Sequence, residues 1–167
     1  NYISILKKNF DKITLSRSYS GEGIAISNEK AKGVILKGID KKEKNNIKFF
    51  NNFITQGNIN SLNSNNVFIG SELAFNLNLK MGDSINLMTS SFVGTPLGNL
   101  PKQENFKVTG IFTTGFIEFD QNIIFLNIED VLSIFDKGNK DQNIEIYLSD
   151  PLKANSYKNK IQKINEN

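Results

Sequence analysis

The chain has 167 residues, enough for one ordinary domain or two small ones sharing an interface. With 20 Lys+Arg against 17 Asp+Glu it carries +3, and no basic cluster is denser than Lys41-Lys42-Glu43-Lys44, so nucleic acid is not an expected partner. It has no Cys and no His, which removes thiol chemistry, Ser-His and Cys-His dyads and most transition-metal sites.

In chain order, apolar residues at Tyr2, Ile3, Ile5, Leu6 and Phe10 predict a short helix. From Lys12 the period changes to two. Ile13 and Leu15, then Ile24 and Ile26 beyond Gly21-Glu22-Gly23, predict two strands or one long bulged strand. "KGVILKGID" (Lys32–Asp40) reads as another strand. Lys41–Asn52 reads as a polar helix or turn carrying Ile47, Phe49 and Phe50, and Gly57–Asn66 as an Asn/Ser-rich loop. A short strand follows at Val67–Gly70. Ser71 is placed as the N-cap of a helix with Leu73, Ala74 and Leu77 on one face. Lys80–Asp83 is a turn, Ser84–Ser90 an alternating strand, and Phe106, Val108, Ile111 and Phe112 mark the returning strand.

Further strands are predicted at Gln121–Phe125 and Gln142–Leu148. Between them Asn127 caps a helix with Ile128, Val131, Leu132 and Phe135 at i, i+3, i+4 and i+7. Asp150-Pro151 opens a final helix with Leu152, Tyr157, Ile161 and Ile164. This mixed order predicts an α+β fold with largely antiparallel pairing, the middle forming a subdomain apart from the terminal elements. No apolar run approaches the ~18 residues of a membrane helix, and Asn1-Tyr2 begins no signal peptide. The abrupt ends read as those of a domain taken from a longer protein.

Paired carboxylates are the enzymatic route left open. Glu118 and Asp120 in "GFIEFD" would share one face if the segment were a strand, and acids that close could split their pKa values into acid and base. The alternative is a solvated strand face. Glu22 between glycines reads as a turn acid. "GEGIAI" lacks the third Gly and following helix of a dinucleotide loop, there is no Walker A motif, and Gly70-Ser71-Glu72 has no His to activate its serine. No loop has EF-hand spacing. The chain is therefore read as a non-enzyme, with no cofactor and no metal expected.

The segment "SSFVGTPLGNLPKQENF" (Ser90–Phe106) stands out. It holds two of the chain's 3 prolines and two of its 12 glycines, and carries no charge from Phe92 to Pro101. Pro96 and Pro101 fix φ and cannot donate to a ladder, while Gly94 and Gly98 permit φ > 0. Phe92, Val93, Leu97 and Leu100 make the tip apolar. Either the tip folds back to cap a core, or it protrudes as a preordered recognition hairpin that loses little entropy on docking.

"VFIGSELAFNLNLKMGDSINLM", "TPLGNLPKQENFKVTGIF", "NIIFLNIEDVLSIF" and "IEIYLSDPLKA" resemble successive blocks of the LolC/LolE family, membrane subunits of the Lol lipoprotein-releasing ABC transporter. The resemblance runs from about Lys12 to Ala154. It implies a periplasmic domain of an inner-membrane protein, with a MacB-like fold. A porter-type α/β part would take 1–45 and 140–167. An inserted, largely antiparallel Sabre-like part would take 46–139, with a hairpin at about 88–106.

In LolC-type subunits that hairpin, the Hook, captures the periplasmic chaperone LolA. Its pattern is intact here as Thr95-Pro96-Leu97-Gly98-Asn99-Leu100-Pro101, so the implied chaperone-binding residues are Phe92, Val93, Gly94, Thr95, Pro96, Leu97, Gly98, Asn99, Leu100 and Pro101. The family's second contact, the Pad, falls on Asn86, Gln103 and Glu104. Only Gln103 keeps the family's residue type, and Lys102 and Lys107 are the cations nearest to replace the lost arginines. The resemblance also implies a LolD-type ATPase, a second LolC/LolE-type subunit and lipoprotein cargo, for a LolC-like or hybrid subunit. The competing expectations are a MacB-type efflux permease domain that binds an adaptor protein, and a hydrolase using Glu118 and Asp120.

Overall fold

β1 (Ile13–Ser27) is one long strand whose buried side shifts from Ser16 and Ser18 to Ala25 and Ser27, and the chain reverses at Asn28 and Glu29, both at positive φ, to form β2 (Lys30–Ile39). The computed structural model describes residues 2–10 and 13–165; the predicted strand start at Lys12 lies outside them. The side chains of Tyr2, Ile3 and Ile164, placed on helices above, also lie outside the description. The remaining elements are α1 (Tyr2–Asn9), α2 (Lys44–Phe53), β3 (Ile54–Gly57), β4 (Asn66–Gly70), α3 (Ser71–Leu77), β5 (Ser84–Thr95), β6 (Gly98–Phe112), α4 (Ile117–Asn122), β7 (Ile123–Asn127), α5 (Ile128–Ile134), β8 (Asn143–Leu148) and α6 (Ala154–Asn165). Single 3-10 turns lie at Ile59–Ser61 and Pro151–Lys153. None of the described helices is long and apolar enough to cross a membrane.

The chain divides into two compact units, Arg17–Asn143 and the terminal segments Asn1–Ser16 with Ile144–Asn167. The expected boundaries at 45/46 and 139/140 differ from these. Residues 17–45 pack with the middle because β1 pairs antiparallel with β5 and β2 pairs parallel with β7. In the terminal unit Leu6, Phe10 and Leu15 are buried among Ile13, Ile144, Ile146, Tyr157 and Ile161, and the Phe10 and Tyr157 rings lie 5.4 Å apart. Leu152, expected on the apolar face of the last helix, is exposed.

In the larger unit the strand order β2–β7–β4–β6–β5–β1 is closed by the β1–β2 pairing, so the sheet is a barrel, with β3 added beside β6. Among the described pairings of this unit β2–β7 and β4–β6 are parallel and the others antiparallel, in keeping with the largely antiparallel expectation. Ala25, Val34, Leu36, Val67, Ile69, Ile85, Leu87, Phe106, Ile124 and Leu126 fill the interior. Antiparallel β4 and β7 launch α3 and α5 from opposite ends of the ring, so Leu73 and Leu77 plug one end and Val131, Leu132 and Phe135 the other.

The plug decides the facing of β1. A side chain at Gly21 would meet the Phe135 ring, and one at Gly23 would meet Leu36 and the Met88 carbonyl. Glycines and Ala25 therefore point inward, and Ile24 and Ile26, the large residues of the predicted core face, point outward.

A second core covers the outside of β4, β6 and β7. Phe50 of α2 packs edge-on against Phe68 and Phe125, at 5.5 and 4.9 Å between ring centres, and Phe112 stands 5.2 Å from Phe125. Edge-to-face pairs add about 0.5–1.5 kcal/mol each beyond their area.

Ser71 is not a cap here. Gly70 holds that position, because a side chain on residue 70 would strike the backbone of Asp120, and Ser71 is the first helical residue. Asn127 does occupy the N-cap of α5, without a side-chain cap bond.

Candidate functional site

Beyond Thr89, β5 leaves the barrel and continues with β6 alone as a ribbon. Phe92 pairs with Pro101, Val93 with Leu100, Gly94 with Asn99 and Thr95 with Gly98. Opposed residues share a face and successive ones alternate. Phe92 and Pro101 thus lie on one face, Val93 and Leu100 on the other, and Leu97 caps the turn. The segment does not fold back over a core. Leu97 is 94% exposed and Phe92 64%, and Val93 and Leu100 are exposed too.

The tip is folded by local contacts. Pro96 and Leu97 form the turn, and Gly98 takes φ +115°. The Thr95 hydroxyl donates to the Gly98 carbonyl (2.7 Å) and accepts from the Leu97 amide (3.3 Å). Gly94 adopts no positive φ, contrary to expectation. Its outer space is open except for Asn99 Oδ1, 3.8 Å from where a side chain would begin.

The Pad positions do not form one surface. Asn86 pairs with Asn105 and Gln103 with Met88, on the outward face with Lys107. Asn86 Nδ2 donates to Asn105 Oδ1 at 3.3 Å, while its own Oδ1 is shielded and unpaired. Glu104 pairs with Leu87, on the opposite face. Lys102 lies on that face too, 3.4 Å from Glu104, with Nζ donating to the Ser133 carbonyl of α5 at 2.6 Å. Lys102 therefore does not stand in for a cation beside Asn86; Lys107 shares that face. Near Glu104, Asp130 accepts from Ser64 Oγ (3.0 Å) and Asn65 N (2.9 Å). Burial raises the Asp130 pKa, those bonds offset part of the rise, and Glu104 adds to it.

Sequence reasoning missed the cleft where the ribbon leaves the barrel, lined by Gly23, Ile24, Met88, Thr89, Phe92 and Pro101. The available signal was the run Ile24-Ala25-Ile26, apolar at both parities, which leaves one parity outside.

Glu118 and Asp120 are not brought together. The segment is helical, so residues two apart diverge by about 200°. Glu118 is exposed. Asp120 is 2% exposed and accepts from the Thr114 amide and hydroxyl and from the Gly115 amide. A carboxylate so occupied holds a loop, and the two acids form no acid–base pair.

No family model matches the chain. It is 29% identical over 111 residues to the lipoprotein-releasing system transmembrane protein LolC of Xylella fastidiosa (strain Temecula1), covering 65% of this chain and 27% of that protein. It is 23% identical over 137 residues to the protein of the same name from Neisseria meningitidis serogroup B, covering 81% and 33%. The chain thus spans between a quarter and a third of the length of these curated relatives.

Among solved structures, the periplasmic region of MacB from Actinobacillus actinomycetemcomitans superposes with TM-score 0.60 at 15% identity, over 98% of this chain and 70% of that one. The extracellular domain of the noncanonic ABC-type transporter YknZ from Gram-positive bacteria gives 0.61 at 13% identity, over 93% and 75%. The chain is homologous to LolC-named proteins over much of its length, and its fold is that of MacB-like periplasmic domains, as the sequence blocks implied.

Proposed function

From this kinship to LolC, we propose that the chain is the periplasmic domain of an inner-membrane ABC-transporter permease subunit, and that its β5–β6 ribbon recruits the chaperone LolA for lipoprotein hand-over. ATP hydrolysis belongs to a separate LolD-type subunit, and a second LolC/LolE-type subunit completes the transporter. In this reading the terminal unit corresponds to the porter-like part and the barrel unit to the Sabre-like part.

The exposed Leu97 at an apolar tip folded by its own local hydrogen bonds is the observation that supports this most. Covering Phe92, Val93, Leu97 and Leu100 gains roughly 6–12 kcal/mol gross, against an association cost on the order of 4–15 kcal/mol. The tip alone binds weakly, which suits a carrier that must leave again. Asn86, Gln103 and Lys107 flank the base on one face and are the polar positions placed to add contacts there.

Calorimetric titration with LolA from the same organism tests the reading. The parent domain is expected to bind at micromolar affinity, and a domain with Phe92–Pro101 replaced by a short Gly/Ser turn is expected to fold and not to bind. Equal binding by both would place the contact elsewhere. The likeness to MacB favours a second reading, an efflux permease domain that binds an adaptor protein. An adaptor bound equally by the domain with and without the ribbon would support that reading instead.

A further inference from the structure

The ribbon leaves the barrel through a break in its own ladder. Between the pairs Met88–Gln103 and Phe92–Pro101, Thr89, Ser90 and Ser91 on β5 face Lys102 alone on β6. A break of this kind interrupts ladder bonds and lets a ribbon bend. A two-stranded hairpin has little stability of its own, so its direction must be set from outside. Two side chains, one from each strand at the break, reach the same structure, the carbonyl end of α5.

Thr89, 5% exposed, donates its hydroxyl to the Ile134 carbonyl at 2.8 Å. Lys102 donates its ammonium to the Ser133 carbonyl at 2.6 Å. The helix end is built to receive them. Asp136 takes φ +54°, its amide donates to the Ser133 carbonyl (3.0 Å) and the Lys137 amide to the Leu132 carbonyl (2.8 Å). That reversal leaves the Ile134 carbonyl for Thr89. A cation at a helix C-terminus is favoured as well by the aligned peptide dipoles. Glu104, 3.4 Å from Lys102, holds the ammonium on the α5 side.

We propose that Thr89 and Lys102 are positioning residues that tie the strands of the ribbon to the C-terminal carbonyls of α5 and so fix the angle at which its tip is presented, the irregular segment 89–91 being the hinge. The tip's own geometry does not depend on them, because Thr95, Pro96 and Gly98 fold it locally. What they set is where Leu97 stands relative to the barrel. The consequence for affinity rests on the reading of the ribbon as the docking element; the tether itself does not.

The test needs no partner. Because the chain has no cysteine, spin labels placed through Leu97→Cys and Glu118→Cys report the tip-to-barrel distance by double electron–electron resonance. Thr89→Val is isosteric and Lys102→Met keeps the stem, so both remove a donor and little volume. The double variant is expected to unfold cooperatively like the parent while the width of its distance distribution at least doubles; Thr89→Ser with Lys102→Arg keeps the parent distribution. A parent-like distribution in the double variant overturns the proposal. Should the double variant fail to fold, Lys102→Met alone is read against the same criterion.

In titrations with LolA the double variant is expected to bind about tenfold more weakly. Leu97→Ser in an otherwise parent domain separates the hypotheses: undiminished LolA binding there would sink the docking reading, while the distance measurement judges the tether independently.

Discussion

The Asp120 carboxylate accepts hydrogen bonds from both the amide and the hydroxyl of Thr114, at 3.0 and 2.7 Å, and so closes the loop that leads into α4. It does this from a buried position, with the Gly115 amide as a further donor at 3.1 Å. Removing the acceptor leaves the donors of half-buried Thr114 without it, at up to about 1–3 kcal/mol each. Asp120→Ala is expected to lower stability by about 2–4 kcal/mol in denaturant unfolding, whereas Glu118→Gln, on the exposed side, changes it by less than about 0.5 kcal/mol. Equal small effects would mean that the loop is held by something else.

Leu87 and Leu97 lie on the same hairpin in opposite circumstances, one wholly buried in the barrel and the other standing at the tip. Leu87→Ala is expected to cost about 2–5 kcal/mol through the cavity it leaves. Leu97→Ser is expected to leave the unfolding midpoint within error, which thermal denaturation of both variants checks. A clear loss of stability in the second would show that the tip supports the fold.

Gly70 and Gly33 make a similar contrast. A side chain on Gly70, the N-cap of α3, would collide with the backbone of Asp120 within α4, while one on Gly33 meets nothing within 4 Å. Gly70→Ala is expected to cost about 3 kcal/mol or more because backbone must move. Gly33→Ala is expected to gain about 0.5 kcal/mol by stiffening the unfolded chain at an unstrained position. Chemical denaturation of both variants reads the difference.

Asp130 predicts an unusual pH dependence. Its folded pKa is raised, chiefly by burial, with Glu104 contributing and the bonds from Asn65 and Ser64 opposing. The folded state therefore holds this proton more tightly than the unfolded chain, and the group's contribution to stability is fully present below its ordinary value of 3.8. The contribution is lost as pH rises through the folded pKa. The melting temperature of the parent relative to Asp130→Asn is thus expected to be more favourable at pH 4 than at pH 7. The opposite slope would mean that the bonds from Ser64 and Asn65 dominate burial.

Much of this was legible in the residues. The strand at Val67–Gly70, the helices carrying Leu73 and Leu77 or Val131 and Leu132, and the Pro/Gly hairpin follow from local periodicity and turn chemistry, which need no partner to be read. The segment around Glu118 was not, because its apolar residues suit strand or helix and only the helical turn under Asp120 decides between them. The facing of β1 misled for a related reason. Ile24 and Ile26 look like the inner side until Phe135, more than a hundred residues away, is seen to occupy the space inside Gly21.

The sequence alone determined a chain with neither thiol nor imidazole, an α+β order and an apolar hairpin stiffened by its own threonine, proline and glycine, because each of these is set by composition or by neighbours along the chain. Tertiary structure alone decided that β1 closes a barrel by pairing with both β2 and β5, and that Glu104 and Lys102 face away from Asn86 and Gln103. It also placed the carbonyl end of α5 beneath the hairpin, since strand pairing and plugging bring together residues whose spacing in sequence carries no record of the contact.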